Sequence, residues 1–342
     1  MNSSDKNLFY AAFIPGLQNF IEQVIKERLS DVKIHRLLDG AVIFETAVTY
    51  DKLNFFCFNN IFVVINILDD THGDGEIAVE NHIKSHGINY DPIKNNSKKF
   101  STFRIVVSDE NIPASIDEKL RTQAENYISR LSGLKVNRAL PDTEFWFLYR
   151  SEGFSIFMKR LTLRASWEKT LHKGELPPPL AWTLCRAAEL KHSDTVLDPF
   201  CGYGSIPEEA FKHFHITSFI ACDNDKEAAK YAALRFKKRK SGEFTFYQTD
   251  FYKLPSFVAE KVNAIVTDPP WGQFKENAGR SFLEQMFEVF GRLLKDGGKA
   301  VVLYMNDDNF LKTVSNNFEL QTRIPVLLSG RKAVIYKFIN RK

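Results

Sequence analysis

The hydrophobic pattern of the first 70 residues predicts a small α+β unit. Apolar side chains recur at helical spacing between Leu17 and Ile25, which predicts an amphipathic helix. Asp39 and Gly40 form a turn signal, and the apolar run 41–48 that follows them predicts a strand. A helix followed by a hairpin is therefore expected in residues 1–70.

Residues 71–160 carry a second set of such signals. Residues 71–97 are polar and contain an exposed loop. Residues 103–107 are β-branched and aromatic, as strands are, and apolar positions four residues apart predict a helix over residues 116–131. Two aromatic runs on either side of Ser151–Gly153 predict a β-hairpin. We therefore expect a second small unit over residues 71–160.

A different pattern begins after the three prolines at positions 177–179. Short apolar strands alternate with helical segments, and this alternation is typical of a parallel sheet with helices on both faces. Near the end of the chain, two apolar runs flank a turn signal, which predicts a terminal hairpin with an antiparallel strand at the sheet edge. The predicted strands are 195–198, 218–223, 264–268, 300–304, 323–328 and 333–338, and the predicted helices are 180–190, 206–213, 226–240 and 282–294.

The composition agrees with a folded chain of two or three domains. The 342 residues are 44% hydrophobic and 26% charged, which excludes a mostly disordered or fibrous chain. No apolar run reaches the ~18 residues of a membrane helix, and the polar N-terminus leads into no signal-peptide segment, so we expect a cytoplasmic protein. The net charge of +4 permits a nucleic-acid partner without demanding one.

The cysteines and histidines carry no metal or disulfide signature. The four cysteines form no CxxC pair, and the eight histidines form no HExxH pair. We therefore expect no zinc module, no disulfide framework and no bound metal.

The segment from Asp198 to Gly204 has the layout of a ligand-binding loop, because it follows a predicted strand and precedes a predicted helix. Its two glycines allow the backbone to approach a ligand closely at the carboxyl edge of the sheet. Position 207 is a proline where a dinucleotide fingerprint would need a third glycine. The carboxylate of Asp198 would repel a pyrophosphate and attract an amino group. The loop therefore predicts a ligand with an amino-acid moiety and no phosphates.

Two further acidic residues, Asp223 and Asp250, are candidates for contacts with the same ligand. Asp223 ends a predicted strand, where a carboxylate suits the two hydroxyls of a ribose. Asp250 could accept a hydrogen bond from an exocyclic amine, and Phe251 could pack on an adenine face. An amino group, a ribose and an adenine together predict S-adenosylmethionine as the cofactor.

The sequence Asp268-Pro-Pro-Trp-Gly begins at the end of the predicted strand 264–268 and suits a planar base that carries an amino group. Pro269 and Pro270 fix the backbone and supply no N–H groups, so their carbonyl groups and Asp268 act as acceptors. Trp271 offers a stacking face. The N2 amine of guanine and the N6 amine of adenine fit these acceptors equally well.

These motifs resemble those of Rossmann-like amino methyltransferases. With Leu176-Pro-Pro-Pro-Leu-Ala upstream and the segment from Lys135 to Trp146, they more closely resemble the THUMP-containing RNA guanine-N2 methyltransferases. The resemblance implies an α/β Rossmann-like methyltransferase sheet with a terminal antiparallel hairpin, preceded by α+β ferredoxin-like and THUMP domains. The implied bounds are 1–70 for the ferredoxin-like domain, 71–160 for the THUMP domain, 161–175 for a linker and 176–342 for the catalytic domain.

The resemblance also implies roles for individual residues. The target base would contact Asp268, Pro269, Pro270 and Trp271, where members of the family often have Tyr in place of Trp. A local basic patch would contact RNA through Lys94, Lys98, Lys99 and Arg104. The cofactor would contact Pro178, Asp198, Phe200, Gly202, Gly204, Asp223, Asn224, Asp250, Phe251 and Asp268.

The activity implied is direct SN2 transfer of a methyl group to guanine N2 in tRNA, by a protein that acts as a monomer. Three alternatives stay open. The target amine could be adenine N6, the RNA could be ribosomal, or the chain could be a catalytically silent RNA-binding protein.

Overall fold

The computed structural model forms two compact units, with the boundary between residues 165 and 166, and residues 14–17 belong to the second unit. The structure describes residues 6–49, 53, 55–85, 88–89, 91–93, 100–110, 112–161, 171–237, 242–271, 281–305 and 309–341.

Unit 1 is built on one sheet whose described strands follow the order β2-β3-β1-β4-β9-β8-β5-β6, with β7 paired to β5. Its helices are α1 (Gln18–Arg28), α2 (Gly75–Lys84) and α3 (Glu118–Ser132). Its strands are β1 (Asn7–Ala12), β2 (Lys33–Leu38), β3 (Ala41–Thr46), β4 (Asn60–Asp69), β5 (Thr102–Asp109), β6 (Ile112–Pro113), β7 (Lys135–Val136), β8 (Thr143–Arg150) and β9 (Phe154–Arg160).

The predicted division of this unit into two domains at residue 70 stays a prediction. Both predicted domains contribute strands to one sheet, and they meet at β4. It pairs antiparallel with β1 on one side and with β9 on the other. The helix α2 lies in the stretch that the sequence predicted to contain an exposed loop. Asp74 caps it by accepting hydrogen bonds from the backbone N–H groups of Glu76 and Ile77.

Unit 2 is an α/β sheet with the described order β12-β11-β10-β13-β14-β16-β15. The pairs from β12 to β14 are parallel, and β16 is antiparallel to both neighbours. The strands are β10 (Thr195–Asp198), β11 (Ser218–Asp223), β12 (Glu243–Gln248), β13 (Val262–Thr267), β14 (Leu294–Met305), β15 (Phe318–Leu328) and β16 (Arg331–Asn340), and the helices are α4 (Pro178–Ala187), α5 (Ser205–Phe214), α6 (Lys226–Phe236) and α7 (Phe282–Leu293).

The predicted α/β fold of this unit is confirmed, with differences in detail. The predicted terminal hairpin is formed by β15 and β16, with β15 at the sheet edge, while the sequence missed β12 at the opposite edge. Helix α7 ends at Leu293, one residue before the predicted end, and Gly297 and Gly298 lie within β14. The pairing of β13 with β14 shifts register after Val262, which accommodates this glycine pair.

The core of unit 2 lies between the sheet and its helices. Ile265 on β13 and Val302 on β14 are completely buried, and they belong to the same cluster as Phe287 and Phe290 of α7. A parallel sheet with buried strands holds its strand ends rigidly, and those ends carry the candidate site.

Candidate active site

Four acidic residues stand where the parallel strands of unit 2 end. Asp198 and Asp223 are the last residues of β10 and β11, Asp268 directly follows β13, and Asp250 follows β12 by two residues. Parallel pairing brings these strand ends to one edge of the sheet. Open α/β sheets bind their ligands at this edge.

The carboxylate of Asp198 is buried, with one oxygen bonded and the other not. Its Oδ1 accepts hydrogen bonds from the Oγ1 of Thr267 at 2.7 Å and from the backbone N–H of Phe200 at 3.1 Å. Its Oδ2 is buried and has no hydrogen-bond partner among the described residues. Burial, with a smaller contribution from the nearby Asp223 and Asp268, raises the pKa of this carboxyl to about 7 against the opposing effect of its two hydrogen bonds. A cationic amino group would supply the missing partner, so this oxygen fits the amino-acid end of S-adenosylmethionine.

The loop between β10 and α5 depends on its glycines. Gly202 and Gly204 have φ angles of +51° and +91°, which favour glycine. A Cβ atom on Gly204 would lie 2.8 Å from the ring of Phe236 on α6. The backbone N–H of Gly202 donates to Oδ2 of Asp223 at 2.7 Å. This hydrogen bond therefore holds the loop against the end of the neighbouring strand β11.

Two adjoining cavities lie along this edge, of about 260 and 760 Å³. Their linings share Gly174, Phe200, Asp223 and Asp268. Asp198 and Gly202 line the smaller cavity, while the larger one is lined by Asn224, Asp250, Phe251, Pro269, Pro270 and Trp271. The structure thus brings most of the predicted cofactor and base residues together around two cavities that share four lining residues.

Two predicted cofactor residues lie outside these linings. Gly204 acts through the turn that it permits at the start of α5. Pro178 begins α4, and the described residues that line the smaller cavity near it are Glu175 and Leu176. Their predicted contacts with the cofactor stay predictions.

Asp223 and Asp250 are oriented by hydrogen bonds from their neighbours. Asp223 accepts backbone N–H groups from Gly202 on Oδ2 and from Asp225 on Oδ1, and each oxygen keeps further capacity to accept hydroxyl groups. Asn224 donates to Oδ1 of Asp250 at 3.1 Å and the hydroxyl of Tyr252 donates to Oδ2 at 3.0 Å. These bonds lower the pKa of the Asp250 carboxyl.

An aromatic wall closes one side of the larger cavity. The ring centroid of Phe251 lies 5.0 Å from that of Phe200 and 5.2 Å from that of Phe282, and Phe200 and Phe282 are 5.6 Å apart. The sequence predicted Phe200 and Phe251 but missed Phe282, which is the first residue of α7. Such a wall suits the flat face of a base.

Asp268 and Trp271 are joined by a hydrogen bond that the sequence did not predict. The indole Nε1–H of Trp271 donates to Oδ1 of Asp268 at 2.8 Å. Burial raises the pKa of the Asp268 carboxyl to about 7, and the indole bond opposes this rise. Trp271 therefore orients the acid in addition to lining the cavity. The indole bond uses one acceptor position of Oδ1, so the carboxylate of Asp268 keeps capacity to accept from a ligand, above all on Oδ2.

Sequence reasoning also missed the segment that precedes α4, which it treated as part of a linker. The ring of His172 stacks on that of Tyr203 with centroids 4.1 Å apart and planes at 5°. Oε1 of Glu175 accepts from the hydroxyl of Ser205 at 3.2 Å and from Arg235 at 2.8 Å. These contacts hold the segment against the glycine loop, where Glu175 lines the smaller cavity.

The predicted basic patch belongs to unit 1. Lys94, Lys98 and Lys99 lie outside the described residues. Arg104 forms an ion pair with Glu144, whose other oxygen accepts from Arg160 at 3.0 Å. A role of this patch in RNA binding stays a prediction.

Among the described residues, no group of three or more His, Cys, Asp or Glu side chains is arranged to hold a metal ion. The four cysteines are free and buried. None of the helices that the structure describes has the length and apolarity of a membrane span.

Known sequences match both units. A family model described as UPF0020, RMKL-like methyltransferase domain, matches residues 165–327. The tRNA (guanine(10)-N2)-dimethyltransferase of Methanocaldococcus jannaschii is 28% identical over 66% of this chain and 67% of its own length. A probable tRNA (guanine(10)-N2)-dimethyltransferase of Methanothermococcus thermolithotrophicus is 30% identical over 36% of this chain and 76% of its own length. The U6 snRNA (guanine-N(2))-methyltransferase THUMPD2 of Bos taurus is 29% identical, and the match spans 34% of that protein.

The fold has a counterpart among solved structures. TrmN from Thermus thermophilus superposes with a TM-score of 0.77 over 98% of this chain and 99% of its own, at 21% sequence identity. At that identity the likeness establishes the fold. Because the family match covers the part of the chain that carries the four acids, and a relative of 30% identity is matched over 76% of its length, the chain belongs to the UPF0020 RMKL-like methyltransferase family, among whose relatives are guanine-N2 methyltransferases of RNA.

Proposed function

We propose that this protein transfers the methyl group of S-adenosylmethionine to the N2 atom of a guanine in tRNA. One observation carries the proposal. Asp268 lines both cavities. The smaller cavity is also lined by Asp198, whose buried Oδ2 has no partner among the described residues, and the larger cavity is also lined by the aromatic wall. A group at this junction can contact a cofactor on one side and a base on the other.

The first task of the site is to hold the cofactor, and the edge acids suit its parts. Oδ2 of Asp198 would accept from the amino group, and Asp223 would accept from the ribose hydroxyls. Asp250 would accept from the adenine amine, with Phe251 and Phe200 against the ring. When bound, S-adenosylmethionine would supply an electrophilic methyl group: its S–CH3 bond would break as the N–CH3 bond forms, S-adenosylhomocysteine would leave, and the amine would release one proton.

The second task is to prepare the target amine. Its lone pair is delocalised into the base, so the amine must become pyramidal and partly positive as it reacts. Oδ2 of Asp268 and the carbonyl of Pro269 would accept its two hydrogen atoms and stabilise that charge. The prolines present no N–H group that would compete, and the indole of Trp271 keeps the carboxylate in place. Positioning supplies the rest of the rate enhancement.

The chemistry of the site admits guanine N2 and adenine N6, and the names of the relatives favour guanine. The archaeal relatives are named for tRNA and the mammalian one for U6 snRNA. The match spans 67% of the Methanocaldococcus protein and 34% of the mammalian one, so we take tRNA as the substrate. We further propose that the protein acts as a monomer in the cytoplasm.

The test combines purified protein, labelled S-adenosylmethionine and bulk tRNA from a strain that lacks the gene, with mass spectrometry of the product nucleosides. N2-methylguanosine in tRNA is the expected product, and Asp268→Asn is the matched inactive control. N6-methyladenosine would change the base, and label in ribosomal RNA alone would change the substrate. Transfer to no RNA, with cofactor binding intact, would overturn the proposal in favour of a silent binding protein.

A further inference from the structure

The larger cavity has a basic residue at its rim that the sequence did not single out. Arg331 is the first residue of β16, and its side chain lines this cavity together with Pro269, Pro270 and Trp271. The antiparallel register explains the placement. Met305 near the end of β14 faces Ala333 of β16, so β16 starts at the edge where the parallel strands end. A residue far along the chain is thereby brought to the candidate base site.

The charges around the cavity make this arginine unusual. Three carboxylates line the space, those of Asp223, Asp250 and Asp268, and Arg331 is the one cationic side chain in the lining that the structure describes. The acids all accept hydrogen bonds from neighbouring groups. Arg331 is exposed, and within the described ranges its guanidinium has no ion pair or hydrogen bond. By contrast, Arg235 beside the smaller cavity is paired with Glu175.

A nucleotide that enters this cavity brings negative charge with it. The base can reach Asp268 only if the phosphates on either side of it come to the rim, where the three carboxylates repel them. A guanidinium offers a planar fork of donors that matches a phosphate, and it is always charged. We propose that Arg331 binds a backbone phosphate of the RNA next to the target nucleotide, an inference that rests on the proposed function.

The cofactor is a poorer match for this arginine. S-adenosylmethionine has no phosphate, and its carboxylate belongs to the amino-acid end. That end is expected over Asp198, in the smaller cavity, whose described lining does not include Arg331. A contact with the cofactor would therefore need a different binding pose.

The neighbouring residue supplies a matched control. Lys332 follows Arg331 on β16 and faces Leu327 of β15. Side chains of successive strand residues point to opposite faces, and Lys332 is exposed but does not belong to the described lining of the larger cavity. Arg331→Gln and Lys332→Gln each remove one positive charge from the start of β16, so a general effect of net charge would appear in both.

The experiment measures methyl transfer to the bulk tRNA described above, RNA binding at several salt concentrations, and S-adenosylmethionine binding by calorimetry. For Arg331→Gln we expect KM for tRNA to rise about tenfold with kcat little changed, as for one lost charge-assisted hydrogen bond. The slope of log affinity against log salt should fall by roughly 0.7 to 0.9, the share of one phosphate. Lys332→Gln should resemble the wild type, and Arg331→Lys should restore part of the affinity.

Other outcomes separate the two proposals. Equal behaviour of Arg331→Gln and Lys332→Gln in KM and salt slope would overturn the role of Arg331, while methyl transfer by the wild type would leave the proposed function intact. Weaker cofactor binding by Arg331→Gln would also overturn it. If the wild type binds tRNA but transfers no methyl group, the proposed function fails, and the salt slopes of the two variants still decide the role of Arg331.

Discussion

Glu144 in unit 1 and Asp198 in unit 2 are both buried carboxylates, with 5% and 1% of their surface exposed. Burial alone would raise the pKa of both. At Glu144 the hydrogen bonds of Arg160 and Trp146 and the charges of Arg104 and Arg160 outweigh burial and lower the pKa. At Asp198 burial prevails, because its charged neighbours are the acids Asp223 and Asp268.

The two carboxylates differ in where their partners come from: Glu144 has partners within the protein, whereas Asp198 has room for a partner from a ligand. Glu144 joins three neighbouring strands, since Arg104 lies on β5, Glu144 on β8 and Arg160 on β9. Both of its oxygens therefore have ion-pair partners within the protein. Asp198 keeps a buried oxygen without a partner in the described structure, and a cation from outside would satisfy it. An unsatisfied buried acid among other acids is therefore the stronger indication of a site.

The largest expected effect is on the acid that lines both cavities. Asp268→Asn should lower kcat for methyl transfer about 10² to 10³-fold, as for loss of one preorganised charge in an active site. Affinity for S-adenosylmethionine should change little, because the other edge acids remain. Single-turnover kinetics with calorimetry would measure both quantities, and an unchanged kcat would show that Asp268 is not needed for the reaction.

The comparison itself is tested by neutralising each buried carboxylate in turn. Glu144→Gln should lower the free energy of unfolding by about 3 kcal/mol, because it leaves two arginines without their shared partner. Asp198→Asn should raise that free energy at neutral pH, because it removes a buried charge that has no cationic partner in the described structure, and weaken S-adenosylmethionine binding by roughly 10 to 100-fold, as for a lost charge-assisted bond. Urea unfolding and calorimetry on both variants would measure this, and a reversed pattern would refute the distinction.

The pH dependence of cofactor binding sharpens the same contrast. The folded-state pKa of Asp198 is about 7, well above its ordinary value, so without ligand its contribution to stability is lost as the pH rises through 7. A cationic ligand prefers the ionised carboxylate, so affinity should rise about tenfold between pH 6 and 8. In Asp198→Asn this rise should be markedly smaller. Titrations at several pH values would show it, and an equally steep rise in the variant would assign the effect to another group.

The smallest expected effect concerns the indole that holds Asp268. Trp271→Phe keeps an aromatic ring and removes the N–H, so kcat should fall by roughly fivefold, within the range for one hydrogen bond. The bond lowers the pKa of Asp268, so its loss should move the acidic limb of the pH–rate profile to higher pH. A drop in rate without that move would mean that Trp271 acts through packing alone.

Local patterns predicted most elements, although they missed several, including β1 and β4, and two of the missed elements have clear causes. The periodicity of residues 116–131 predicted α3, whose buried face is Leu120, Ala124 and Ile128. The helix α2 was missed because Gly73 and Gly75 mark a loop, while its start depends on the cap that Asp74 forms. The strand β12 was missed because it forms an edge of the sheet and lacks a continuous buried run.

The sequence by itself determined the order of the elements and the acid or glycine at each strand end, because helical and strand periodicities and turn signals are local. It thereby predicted Asp198, Asp223, Asp250 and Asp268 as a set. Only the tertiary structure decided what surrounds them. The bond from Thr267 to Asp198 and the place of Arg331 in the lining of the larger cavity depend on strand register across the sheet. Register is set by packing between segments distant in the chain, which no local pattern encodes.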